Sequence, residues 1–424
     1  MTLKTKIKFY GGTGEVGRNA ILVKTDRNIL LDFGAKQIPG ERQLIFPEVP
    51  DEKVDAVILS HAHLDHVGGL PYLFSKTSNA LDIPIYSTLT TKKLTTLLLD
   101  DSVKIGGSEC MIQPIVDIVK DNLMPISLNK TIRIGETTFS FFSAGHIPGS
   151  AMVDIRFQDE RIIYTGDFCL NENRLLMEPA DLSAFQNIDI PISHLITEST
   201  YSNAFHQSRD TLERKFIESV KAGLETGCVV LPSFAIERTA EILRVLLKHF
   251  PNKQKIYVDG MGIKATKLSF NSCDVKKSEN LFQNLKQASQ IATGPNRKKA
   301  ISGNNIIITT AGMGEGGPFL WYANRLFSQD TIIFTGYCVE GSNGRKLIDG
   351  SETITVDGIE TKVSASIRQH SFSAHPDKTD LIKLYRLIKP ENIFVVHGEN
   401  TEEFSKELEI LGYNSKGPKI FDEY

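Results

Sequence analysis

The stretch VILSHAHLDHVGG, Val57–Gly69, places His61, His63, Asp65 and His66 directly after an apolar run. In an extended strand end, residues two apart project to the same side. His61 and His63 can therefore meet one metal ion, while Asp65 and His66 follow around the bend and can meet a second. A metal site takes three or four ligands per ion, so others must come from elsewhere. His146 in SAGHIPGSA, Asp167 in YTGDF and His397 in VVHGE are the candidates, each just after an apolar run. Imidazole and carboxylate without thiolate suit zinc, with manganese or iron as alternatives. Two ions sharing a carboxylate would lower the pKa of a shared water and neutralise charge on an attacked phosphoryl or carbonyl group.

The chain has ten histidines. Besides the five above, His375 also sits in a sharply patterned motif, HSFSAHPD. His194, His206, His249 and His370 lie outside such patterns and read as ordinary polar residues.

The elements that must position these groups are short apolar runs ending in turns. NILLDFGA (Asn28–Ala35), DAVILS (Asp55–Ser60), TTFSFFSAG (Thr137–Gly145) and RIIYTGD (Arg161–Asp167) read as buried strands with functional loops at their ends. TTKKLTTLLLDDSVKI reads as a helix. Further on, Leu212, Phe216, Val220 and Leu224 recur at helical spacing, with Ser208 as N-cap and Gly227 as stop. CVVLPSFAIERTAEILRVLLKHF then gives a strand, a turn and a helix. KIYVDG, NIIITT and TIIFTG repeat the run-then-turn pattern, and alternation with helices predicts a parallel sheet covered on both faces. NIFVVHGE is a last strand ending in histidine. The polar and basic stretch Asn296–Asn304 reads as a surface loop.

At 424 residues the chain exceeds one ordinary core, so two domains are expected. No run approaches the roughly 18 apolar residues of a membrane span, and the N-terminus lacks the apolar region of a signal peptide. The five cysteines form no CxxC pair, which argues against disulfides and a cysteine zinc site and makes the cytoplasm the expected compartment. A net charge of −3 speaks against sequence-independent coating of duplex DNA.

HAHLDH matches the HxHxDH signature, and the sequence resembles the metallo-β-lactamase fold, with Asp32, His146 and Asp167 at its other motifs. The resemblance implies an αββα sandwich with metals at one sheet edge. It implies that His61, His63, His146 and Asp167 hold one zinc ion, and that Asp65, His66, Asp167 and His397 hold the other. Asp32 would orient a ligand. Asp167 and His397 are far apart, and the α/β region between them resembles the inserted β-CASP domain of nucleic-acid-processing nucleases. Glu198 in ITESTY, PSFAIERTAEIL, TTAGMGEGGP, TGYCVEGSNGR, HSFSAHPD and the N-terminal GEVGR carry that likeness. The expected divisions are a metallo-β-lactamase domain over 1–190 and 366–424 and a β-CASP domain over 191–365. The match is to archaeal-type relatives of the cleavage and polyadenylation specificity factor nuclease, without their KH domains. YVDGMGIKAT lacks a Ser-Pro step usual there, and Glu315 puts a carboxylate near the expected RNA path.

The expected activity is zinc-dependent hydrolysis of single-stranded RNA, endonucleolytic, 5′-to-3′ exonucleolytic or both, in a protein that could be a homodimer. Asp65 and Asp167 would offset part of the charge of two ions. His375 would protonate the leaving 3′ oxygen and Glu198 would hold that proton in place. Gly312 and Gly316 lie in a glycine-rich loop whose N–H groups could cradle phosphate. Arg238, Arg345 and Ser373 are further phosphate-contact candidates. Tyr337 and Phe234 could stack bases. The competing readings are a thioester or lactam hydrolase, a nuclease acting on DNA, and a non-catalytic RNA-binding subunit.

Overall fold

Alternation with a period of two sorts each central strand between two layers. Strand Asn28–Leu31 sends Ile29 and Leu31 to one side and Leu30 to the other. Strand Asn392–Val396 divides Phe394 and Val396 from Ile393 and Val395 in the same way. In the computed structural model, which describes residues 4–424 apart from 42, 79, 107, 187–189, 251–254, 278–280 and 292–293, these strands belong to two facing sheets.

The first sheet has six strands, in the order Lys6–Gly11, Ala20–Lys24, Asn28–Leu31, Ala56–Ile58, Ile85–Ser87 and Leu123–Pro125. The second has seven, in the order Ser415–Lys416, Asn392–Val396, His194–Glu198, Glu160–Tyr164, Ala151–Phe157, Thr137–Ser143 and Thr131–Ile134. Ile21, Val23, Leu31 and Ile58 of the first sheet meet Phe141, Val153, Ile155 and Ile196 of the second. Helices cover both outer faces: Leu70, Leu73 and Val116 pack on the first, and Leu381, Leu384 and Leu408 on the second. This is the expected four-layer αββα sandwich.

A third sheet has six strands, all paired in parallel, in the order Ser289–Ile291, Ile256–Asp259, Ile306–Thr309, Val229–Pro232, Thr331–Phe334 and Ser366–Gln369. Its strands are apolar on both sides because both faces are covered. Phe216, Ile242 and Leu246 pack on one face, and Phe319, Tyr322 and Leu347 on the other. Helix Arg209–Thr226 has Ser208 at its N-cap, accepting from the Thr211 N–H, and ends at Gly227. Helix Leu89–Ile105 covers the predicted stretch.

Two strands lie just after positions 190 and 365. His194–Glu198 pairs inside the second sheet, between Glu160–Tyr164 and Asn392–Val396. Ser366–Gln369 pairs with Thr331–Phe334 in the third sheet. The Asn296–Asn304 stretch is corrected. Helix Gly294–Ile301 occupies most of it, because Ala300 is buried in the core and Arg297 pairs with Asp259 at 2.7 Å. No described helix is long and apolar enough to cross a membrane.

Candidate metal centre

Parallel strands deliver their carboxyl ends to one edge, and the chemistry collects there. Asp32 follows Asn28–Leu31, His61 and His63 follow Ala56–Ile58, Asp167 follows Glu160–Tyr164, and His397 follows Asn392–Val396. Asp65 and His66 lie in the one-turn helix Leu64–Val67. That turn sits against the end of the neighbouring strand only because Gly34 lacks a side chain, since a Cβ there would lie 1.7 Å from the Asp65 carbonyl oxygen. Asn19 fastens the same turn, donating to that carbonyl oxygen from its backbone at 3.0 Å and from its side chain at 3.2 Å.

The ligand candidates form two groups that share an edge. His61, His63, His146 and Asp167 bring one donor atom each within 4.8 Å of one another, and so do Asp65, His66 and His397. His63 Nδ1 lies 3.2 Å from His61 Nε2 and 3.1 Å from His146 Nε2. Asp167 Oδ2 lies 3.4 Å from the Nε2 atoms of both His61 and His66, while its Oδ1 lies 3.4 Å from His397 Nδ1. Asp167 therefore stands between the two groups. His397 Nε2 and Asp65 Oδ2 are 3.2 Å apart.

These residues fit cations better than they fit one another. Three ring nitrogens converge at close range with few protons to share. Asp167 is 2% exposed and its Oδ1 has no hydrogen-bond partner among the described residues. An orphaned buried carboxylate oxygen is costly unless a charge answers it. Burial and the proximity of His66 hold His61 well below the usual imidazole range, and burial with His375 does the same to His146. Burial also lowers His63, to about 4. Neutral imidazole is the form that binds metal.

Outer partners fix the rings. Asp32 Oδ2 lies 2.7 Å from His66 Nδ1, accepts from the Ser60 hydroxyl at 2.6 Å and accepts from the Tyr164 hydroxyl at 2.7 Å. His61 Nδ1 is 3.0 Å from the Ser60 hydroxyl, and His146 Nδ1 is 2.8 Å from the Ala374 carbonyl oxygen. Such contacts set which nitrogen faces inward. Asp32 and His397 both adopt positive φ, 54° and 49°. Non-glycine residues hold that conformation at a cost that the surroundings must offset.

Glu198 and His375 sit beside the ligands. His375 Nδ1 is 2.9 Å from Glu198 Oε2 and 4.0 Å from Asp167 Oδ2. The Phe168 N–H donates to Glu198 Oε1 at 2.9 Å. Burial opposes charge on His375, but the adjacent Glu198 carboxylate outweighs it and raises the imidazole to about 9. His375 Nε2 has no partner among the described residues, so it is the ring atom left for a ligand.

Of the five substrate-contact candidates, Arg238, Arg345, Ser373 and Gly312 each have contacts within the protein. Arg238 is buried and spends its guanidinium on Glu237 and on the Thr335 carbonyl oxygen, each at 3.2 Å. Arg345 pairs with Asp349 one turn along its helix. The Ser373 hydroxyl serves its own turn, accepting from the His375 N–H at 3.1 Å. Gly312 is required by packing, since a Cβ would lie 2.8 Å from the Phe234 backbone nitrogen. Gly316 has open space beside it. Glu315 links two remote loops, accepting from the N–H groups of Gly40, at 2.8 Å, and of Asn343. Tyr337 is partly exposed.

Sequence reading missed Ser60, Tyr164 and Arg174. Ser60 and Tyr164 adjoin motif residues, which is a weak signal. Arg174 has none, yet it holds the carbonyl oxygens of Gly145 and His146. Of the four histidines set aside, His249 pairs with Glu213 and His370 meets the Ser219 hydroxyl. His206 comes closer to the centre, with Nε2 3.2 Å from the His375 carbonyl oxygen.

Family models match three stretches of the chain. Residues 13–221 match the metallo-beta-lactamase superfamily, 239–347 the Beta-Casp domain, and 360–418 the Zn-dependent metallo-hydrolase RNA specificity domain. The chain is 37% identical over 415 residues to "Probable RNase MJ4" of Methanocaldococcus jannaschii, covering 94% of each. It is 30% identical over 413 residues to "RNase aCSPSF2" of Saccharolobus solfataricus, covering 94% of this chain and 80% of that one. Among solved structures, a protein of unknown function from Enterococcus faecalis V583 superposes with a TM-score of 0.63 at 16% identity over 99% of both chains, which supports the fold alone.

Proposed function

The chain belongs to the metallo-β-lactamase superfamily, in the group of RNA hydrolases that carries Beta-Casp and RNA specificity domains, and from that premise we propose how its site works. It is a metal-dependent ribonuclease of RNA processing or decay. The observation that carries the reading is Asp167, whose two oxygens face the two histidine groups at 3.4 Å.

His61, His63, His146 and Asp167 would hold one ion, and Asp65, His66, His397 and Asp167 the other. All of these residues come from one chain, so the centre needs no second copy to be complete. The donor set favours zinc, and manganese remains compatible with it. When bound, two divalent ions supply positive charge to the scissile phosphate and acidify water at neutral pH.

The residues do the rest. Asp65 and Asp167 offset part of the cationic charge, leaving a site that still attracts one phosphate anion. Asp32, Ser60 and Tyr164 fix the rings of His61 and His66, so nothing need reorganise during reaction. Glu198 accepts from His375 Nδ1, which orients the ring and favours its charged form. His375 Nε2 then carries the proton for the departing 3′ oxygen.

The experiment uses 5′-labelled single-stranded RNA and the matched DNA strand, with wild type and an Asp65→Ala, His66→Ala double variant. Chelated protein should be inert, and zinc or manganese should restore it. Internal RNA fragments from wild type alone mark an endonuclease, and mononucleotide release marks exonucleolytic action. Absence of metal-dependent RNA cleavage would sink the reading.

A further inference from the structure

The loop after Tyr201 presents an aromatic side chain that the chemistry above does not use. Phe205 is 72% exposed. It lines a groove of about 480 Å³ together with Lys378, Thr379, Ile382, Lys383 and Arg386 of helix Lys378–Ile388. The groove is built in advance. The Lys378 N–H donates to the Ala204 carbonyl oxygen at 3.2 Å, and the His206 N–H donates to Asp377 Oδ2 at 2.9 Å. Loop and helix start are thereby fastened to each other.

The loop that carries Phe205 is tied to the segment that carries His375. His206, next to Phe205, touches the His375 carbonyl oxygen, and its ring lies 4.8 Å from that of Tyr201. Tyr201 in turn lies 6.0 Å from the His375 ring.

Charge selects the occupant. Three cations flank an apolar floor made by Phe205 and Ile382. Lys378 is shared with Glu407. Lys383 and Arg386 are exposed and have no ion-pair partner among the described residues, and Asp380 is the one acid on that helix. An exposed aromatic face beside free cations is how proteins hold single-stranded nucleic acid, by stacking bases and tracking phosphates.

We propose that this groove docks the RNA segment on the 5′ side of the scissile phosphate. The proposal rests on the ribonuclease reading above. There His375 protonates the leaving 3′ oxygen, and the strand that leaves with that oxygen is the upstream one. The loop that carries Phe205 is tied through His206 to the His375 backbone. An enzyme trimming single nucleotides from a 5′ end has almost no upstream strand to hold, so the groove fits internal cleavage.

Binding is tested with the full chain in chelator, so that no cleavage occurs, against fluorescent single-stranded RNA of about 15 nucleotides, near the upper footprint of a single-strand binding module. Phe205→Ala, and a Lys383→Gln, Arg386→Gln double variant, should each weaken binding by about tenfold. The charge variant should also flatten the salt dependence, its slope falling by roughly 0.7 for each phosphate that is no longer neutralised. In cleavage of an RNA with a mapped internal site, both variants should raise KM with kcat unchanged. Trimming the upstream segment to one nucleotide should erase that difference. Unchanged RNA affinity in both variants would overturn the proposal. So would a change in sedimentation without a change in RNA affinity, which would make the groove a contact between copies. A wild type that binds RNA through the groove but never cleaves it would instead defeat the hydrolytic reading and leave the docking site standing.

Discussion

Arg174 donates to the carbonyl oxygen of His146 at 2.8 Å, and the same guanidinium nitrogen donates to Glu237 at 2.7 Å. One buried side chain thus joins the loop carrying a ligand candidate to the start of helix Arg238–His249, which packs on the third sheet. Glu237 holds a left-handed backbone, φ 69°, to make this contact. Glycine would adopt that conformation freely but could not supply the carboxylate.

Arg174→Lys keeps the charge and loses the forked geometry. We expect it to fold and to lose metal about tenfold more readily, the lower end of the effect of removing a ligand's outer partner. Glu237→Gly should do the same while relieving the backbone. Metal content after dialysis, read beside circular dichroism, is the check. Wild-type metal retention with only a lowered Tm would reduce Arg174 to a structural contact.

His375→Ala should retain metal and lower single-turnover cleavage by about 10² to 10⁴, the usual range for a lost general acid. Glu198→Gln should fall between that variant and wild type. An RNA with sulfur in place of the leaving 3′ oxygen needs little protonation, and the alanine variant should regain most of its rate on it. Equal deficits on both substrates would rule out the acid role.

Glu52 ties the loop before strand Ala56–Ile58 to strands Lys6–Gly11 and Ala20–Lys24 of the first sheet. It accepts from the Tyr10 hydroxyl at 2.6 Å and from Lys24 at 3.0 Å. Burial would push its carboxyl up, but these hydrogen bonds outweigh it and hold it down at about 2. A carboxyl lowered on folding stabilises the protein at pH above its unfolded value and loses that contribution as pH falls through the folded one. Glu52→Gln should therefore cost about 2 kcal/mol at neutral pH, as for a hydrogen bond to a charged group. The gap from wild type should close between ordinary carboxylate pH and pH 2. Urea midpoints of both proteins in chelator measure it, and a gap independent of pH would contradict the assignment.

The local part of the site is legible in the order of the residues. HAHLDH offers its side chains from a strand end and a bend, which its own spacing announces, while Gly34 and Asn19 seat that bend. Apolar runs likewise announced strand tips bearing Asp32, Asp167 and His397, and a parallel sheet between them. The tertiary structure decided what depends on remote partners. Asp65 meets His397 across 332 positions, and no spacing rule reaches that far. Arg238, Arg345 and Ser373 are phosphate-contact candidates by type, and only the fold supplies their partners within the protein, Glu237, Asp349 and the His375 N–H. Arg174 and Phe205 carry no pattern at all. A buried arginine is marked only by the carbonyl oxygens that surround it, and an exposed phenylalanine only by the cations beside it. Those neighbours are brought together by packing, which a linear pattern does not encode.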